Sequence, residues 1–242
     1  MPAPARAIPA GILHLPERRR SEFFQMVGVW TTGGVVISLL CAIGAAWVIH
    51  EVPILQYRLV QLVLMFGCIG LSGSVATPMV RHNQSQPAFV MGSAAMGVAL
   101  GYILAIAVAV GADVFGTEDF AHLTLIAQAG GLTGATALSL GAYLSLGPKD
   151  LSMVRGFLAV TCAPMFMLMV LTAVHPIGGT LGILISLLFV AVSALSLLSS
   201  LHRVLHEARA GQEIYVAYEL SQSLIVLFWN LTVLLIRLYR RA

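Results

Sequence analysis

The chain has 242 residues, of which 59% are hydrophobic and only 10% charged, and its mean hydropathy is +0.93. A soluble domain carries about 25% charged residues and needs them to cover a core of this size, so the composition excludes a soluble globular fold, a disordered chain and a nucleic-acid binder. The 13 Lys and Arg against 10 Asp and Glu are a small excess, better suited to setting orientation in a bilayer than to docking an anionic partner.

Residues 1–25 read as a basic, Pro/Ala-rich arm: Pro2, Pro4, Pro9 and Pro16 interrupt it, Arg6 and the run Arg18-Arg19-Arg20 charge it, and no acid precedes Glu17. A secretory signal needs an unbroken apolar core, so the arm is expected to lie beside the membrane, with Arg18, Arg19 and Arg20 on lipid headgroups or a partner. A helix crosses a hydrocarbon core of about 30 Å with roughly 20 apolar residues. On that measure residues 26–236 divide into seven spans, at about 26–49, 59–80, 88–111, 123–146, 156–174, 181–201 and 214–236. The predicted fold is therefore an all-α, seven-span transmembrane bundle, followed by a basic tail over 237–242 that carries Arg237, Arg240 and Arg241. The connections are short and hold the turn and charge signals, as in His50-Glu51-Val52-Pro53, Arg81-His82-Asn83 and Gly147-Pro148-Lys149-Asp150.

Basic residues are unevenly shared between alternate connections. With seven spans, nine (Arg6, Arg18, Arg19, Arg20, Arg81, Lys149, Arg155, Arg203 and Arg209) fall on one side and four (Arg58, Arg237, Arg240 and Arg241) on the other. Positive residues stay inside, which puts the N-terminus on the cytoplasmic or matrix side. Three of the four exceptions follow the last segment. A re-entrant path for that segment would remove the conflict, so it is a candidate for re-entrance.

Within the spans, small residues recur four apart at Gly97/Gly101, Gly130/Gly134 and Gly178/Gly182, with a further small face at Gly67, Gly70 and Gly73. In lipid, close backbone approach does much of the work of holding helices together, and these pairs are expected to be seams within the bundle. Cys41, Cys68 and Cys162 are far apart in apolar runs and fit neither a metal site nor a disulfide framework. His202 and His206, four apart, share a helix face, but Arg203 lies between them and no third ligand is evident, so no metal is expected. Glu219 is the one carboxylate placed inside a span; it lies about one and a half turns from its start, where headgroups or Arg209 can pair with it. Gln128 and Gln222 are hard to satisfy singly in lipid and are expected to face other helices. No nucleophile with a matching base, phosphate-cradling loop, or haem or iron–sulfur spacing occurs, so neither enzymatic activity nor a cofactor is expected.

Three segments of the second half carry a resemblance. Pro148-Lys149-Asp150-Leu151-Ser152 with Gly156-Phe157-Leu158 opens the fifth span, Ser199-Ser200-Leu201-His202-Arg203-Val204 closes the sixth, and Ala217-Tyr218-Glu219-Leu220-Ser221-Gln222-Ser223-Leu224-Ile225-Val226-Leu227-Phe228 runs into the seventh. Together they resemble the Bax inhibitor (transmembrane Bax-inhibitor-motif) family of seven-span membrane proteins, over about residues 140–240. The resemblance implies a pair of aspartates, one in each of the last two motifs, that gates a pH-sensitive calcium or proton leak; two carboxylates sharing a proton would supply that sensitivity. At the matching positions this chain has Ser200 and Ser223, and the family's Asn falls on Val226. Hydroxyls do not titrate in this range, and Glu219, with Gln222 and Gln128, is what remains to line an ion path.

The expectation is thus a non-enzymatic member that keeps the bundle and lacks the paired-aspartate gate, serving as a structural or accessory subunit of a larger inner-membrane complex. Its partners would be lipids and other membrane subunits, in a mitochondrial or bacterial inner membrane. The alternative is a leak channel or stress (cell-death) regulator, as in the family.

Overall fold

The computed structural model describes residues 16–116, 123–146, 151–174 and 177–240. Arg6, Lys149, His175 and Arg241, and the Pro148-Lys149-Asp150 part of the loop motif, lie outside them. The described residues are helical, with no strand. Helix α1 spans Glu17–Glu51; a 3₁₀ turn over Pro53–Gln56 leads into α2, Arg58–Gly70, which continues through a π-helical segment, Leu71–Ala76, into α3, Thr77–Asn83. Then come α4 (Gln86–Phe115), α5 (Thr124–Ser145), α6 (Ser152–Val174), α7 (Gly179–His202, extended by a second π segment, Arg203–Glu207) and α8 (Glu213–Tyr239).

Counted with α2 and α3 as one continuous rod, seven rods run through the described residues. Five are long and apolar enough to cross a membrane, namely α1, the α2–α3 rod, α4, α7 with its π extension, and α8. A sixth, α6, qualifies when its halves Ser152–Thr161 and Pro164–Thr172, bent 45° at the break, are taken together. Proline lacks the amide and crowds the preceding turn, so the bend falls at Pro164. The rod α5 is not among the span-length apolar set, its 22 residues being diluted by Gly130, Gly131, Thr133, Gly134, Thr136 and Gly141. The chain is therefore a multi-pass helical membrane protein, and among the described residues five or six of the seven expected spans are found.

Other expectations are corrected by particular contacts. Helix α1 begins at Glu17, so residues 17–25 are its first turns rather than part of an arm. At 35 residues α1 is about 52 Å long, well beyond a hydrocarbon core. Its extra turns are held by the chain itself, Phe23 and Val27 being buried against Val204, Ala208, Tyr215 and Val216. Arg18 pairs with Glu22 on the same helix at 3.2 Å. The proposed re-entrance is not seen in α8: it runs unbroken for 27 residues and is the most buried of the span-length helices. Ile225, Leu227, Phe228 and Leu231 of α8 join Ala42, Met96, Leu100, Ala129 and Leu197 from four other helices in a shared core cluster.

Of the small-residue pairs, Gly97/Gly101 alone forms a seam between helices. A methyl group at Gly97 would stand 2.2 Å from the Ser38 carbonyl oxygen, and one at Gly101 2.6 Å from Ala45 Cβ. The α1–α4 approach is so close that Ser38 Oγ donates to the Ser93 carbonyl at 2.7 Å. Gly34 and Gly92 extend the seam, making room for Phe89 and Ser221 and for Tyr218 and Ala76. By contrast, nothing lies within 4 Å of a Cβ added at Gly67, Gly70, Gly73, Gly130, Gly134 or Gly178, and at Gly182 the nearest atom is the nearby Ile177 carbonyl oxygen, not one on another rod.

Candidate functional site

The N-terminal half of α8 presents Tyr215, Tyr218, Glu219, Gln222 and Ser223 at spacings of three and four residues, so that neighbours in this set lie next to each other on the helix surface. The end of α7 runs antiparallel beside it, and this brings Ser200 to Ser223: the two hydroxyls are 2.9 Å apart and hydrogen-bonded. Ser200 and Ser223, singled out in the sequence by the last two motifs, are thus in direct contact as a neutral pair.

One turn toward the connecting loop, Arg203 meets Glu219. Its Nη1 is 2.5 Å from both carboxylate oxygens, and it also donates to the Tyr215 hydroxyl at 3.1 Å. Tyr215 in turn donates its proton to Glu219 Oε1, closing a triangle in which both carboxylate oxygens are engaged and the charge is matched. The partner of Glu219 is therefore Arg203; Arg209 lies exposed in the loop, where its amide donates to Gln212 Oε1. The π segment, with its extra residue per turn, carries Arg203 on one side and Glu207 on the other. Glu207 pairs with Arg155 of α6 at 2.6 Å, and the same guanidinium lies 3.1 Å from His202 Nδ1. His202 and His206 stack with ring centres 4.8 Å apart.

The other π segment, Leu71–Ala76, approaches α8 from the opposite side. Ser72 Oγ is 2.6 Å from the buried Tyr218 hydroxyl, and the Ser72 carbonyl accepts from both Tyr218 at 3.2 Å and Thr77 Oγ1 at 2.9 Å. Carbonyls freed by a π turn need such partners in a setting without water. Phe89 packs edge-on against Tyr218, with ring centres 5.7 Å apart, and against Trp30 at 5.2 Å, tying the site to the α1–α4 seam. Between the two π segments lies a polar cavity of about 280 Å³, lined among others by Thr77, Ser196, Ser199, Glu219 and Gln222. The Gln222 Nε2 amide is buried there without a hydrogen-bond partner.

The expected ion-path residues do not all converge. Glu219 and Gln222 line this cavity, but Gln128 accepts a hydrogen bond from the Tyr239 hydroxyl at 3.1 Å, at the far end of α8; Glu219 and Tyr239 are about 30 Å apart along the helix. Arg237 also lies at that far end, donating to the Gly182 carbonyl, while Arg240 is exposed. Sequence reasoning missed Arg203, Tyr215, Ser72 and the Arg155–Glu207 pair. The first two were within reach: once Ser200 is set against Ser223 in an antiparallel pair, one turn along each helix leads to Arg203 and Glu219, and Tyr215 is one turn further.

The family model described as inhibitor of apoptosis-promoting Bax1 matches the chain over residues 20–240. None of the curated proteins compared matches it. The chain belongs to the Bax inhibitor family.

Proposed function

We propose that this Bax inhibitor family member is a non-enzymatic membrane protein that lacks the paired-carboxylate gate and serves as a structural or accessory subunit of a larger inner-membrane assembly. The observation that carries this reading is the Ser200–Ser223 hydroxyl pair at the gate positions. Two hydroxyls bonded to each other offer neither a titrating proton near neutral pH nor the negative charge that draws a cation out of water. The neighbouring carboxylate does not replace them, because Glu219 is neutralised by Arg203 and bonded by Tyr215. Arg18, Arg19, Arg20, Arg155, Arg203 and Arg209 gather toward the end of the bundle that holds this site, which fits that end facing the cytoplasm or matrix.

The polar cavity beside Glu219 and Gln222 favours a second reading, a calcium or proton leak through that cavity. Flux into liposomes separates the two. On the accessory reading, reconstituted protein conducts neither ion above empty vesicles at any pH between 5 and 8, and the protein purified in mild detergent brings other subunits with it. A calcium or proton leak that disappears in Glu219→Gln would establish the second reading and remove the first.

A further inference from the structure

A lateral cleft runs along α8 from the Arg237 end toward the middle of the helix. It has two lobes of about 310 and 410 Å³, joined where Met169, Phe189, Trp229 and Asn230 line both. The upper lobe reaches Arg237, Gln61 and Tyr102; the lower one ends at Met96 and Val226. The walls are apolar, and at the rim Ile106 and Phe166 are exposed, at 39% and 50%, on the face that a bilayer would cover. From Arg237 to Val226 the cleft follows α8 for about 16 Å, half of a hydrocarbon core of about 30 Å, which is the depth of one leaflet.

Its charge is equally specific. Arg237 lies two residues from the end of α8, at headgroup depth. It is half-buried, its guanidinium donates to the Gly182 carbonyl, and no acidic group among the described residues pairs with it. A cleft open to lipid does not stay empty in a membrane; acyl chains fill it. We propose that it is a binding site for an anionic phospholipid of the leaflet at the Arg237 end, with the phosphate on Arg237 and one acyl chain along Tyr102, Phe189, Trp229 and Met96. The site does not depend on whether the chain conducts ions.

The test uses the full chain in detergent, titrated with phosphatidylglycerol or phosphatidylcholine and followed by thermal unfolding and by native mass spectrometry. Phosphatidylglycerol should bind about fivefold more tightly, the size of one favourable charge contact near the interface, and raise the melting temperature where phosphatidylcholine does not. Arg237→Gln should abolish the preference, and Arg240→Gln, on the exposed side one turn on, should keep it. If Arg237→Gln fails to fold, brominated lipids decide the matter in a Trp30→Phe/Trp47→Phe background: brominated phosphatidylglycerol should quench Trp229 more strongly than brominated phosphatidylcholine. Equal binding of the two lipids, equal quenching, or a preference that survives Arg237→Gln would each overturn the proposal.

Discussion

Helices α4 and α5 both carry glycines four residues apart, yet they are used in opposite ways. In α4, Gly97 and Gly101 face α1 so closely that no side chain fits between the backbones; in α5, Gly130 and Gly134 look into open space. The motif is the same, and what differs is the neighbour. On the α1–α4 side the helices are locked by backbone contact, the buried Ser38 bond and the Trp30–Phe89–Tyr218 ring series. On the α5–α6 side no such close approach is made: a methyl group at Gly130, Gly134, Gly141 or Gly156 would have nothing within 4 Å. The polar site sits where α8 and the end of α7 are braced by the locked half, which lets a half-buried ion pair hold one geometry.

The sharpest way to break this contrast is Gly97→Leu. Overpacking usually costs about 1–3 kcal/mol. Here the obstacle is the Ser38 carbonyl at 2.2 Å, backbone that cannot rotate away, so a loss of at least about 3 kcal/mol is expected, read as little folded protein or a large fall in melting temperature. Next is the Arg203–Glu219 pair. Removing one partner of a fully buried pair costs about 3–5 kcal/mol; with side chains 34% and 22% exposed the expected loss for Glu219→Gln is smaller, about 1–2 kcal/mol after allowance for screening. Arg203→Met with Glu219→Leu should recover most of it, and a double-mutant cycle measures the coupling. A cycle showing no coupling would mean that the two side chains do not support each other.

Smaller again is the hydroxyl pair. Ser200→Ala or Ser223→Ala should each cost about 0.6 kcal/mol, the average for a hydrogen bond between membrane helices, and the double variant little more than either single one, because they share one bond. Additive losses would show that the hydroxyls bond elsewhere. The smallest effect is Gly134→Ala, for which nothing lies within 4 Å of the new methyl. Its melting temperature should be unchanged or slightly raised, since alanine is the better helix former by up to about 1 kcal/mol. A marked loss there would mean that α5 is packed against something and would erase the distinction between the two glycine pairs.

Part of the site could be read before any coordinates. The motifs at Ser200 and Ser223 set those two positions opposite each other, and they do touch. Pairing Glu219 with Arg209 was wrong for a plain reason. Nearness along the chain favoured the loop arginine, but two antiparallel helices bring together residues at equal distances from their loop, and the π segment turned Arg203 inward. Gln128 was grouped with Glu219 because both are polar in apolar surroundings, a criterion that carries no depth; they lie at opposite ends of α8.

By itself, the sequence determined that the chain is helical, multi-pass and short of charge, because backbone groups in lipid must bond within helices and charges there are costly. It pointed to the family as well. Tertiary structure alone decided which glycines form a seam, which arginine meets Glu219, and that Pro164 rather than the last helix carries the break. Those outcomes depend on which face of each helix meets which neighbour. Composition and spacing mark that a residue is small, charged or kinking, but only packing gives it something to touch.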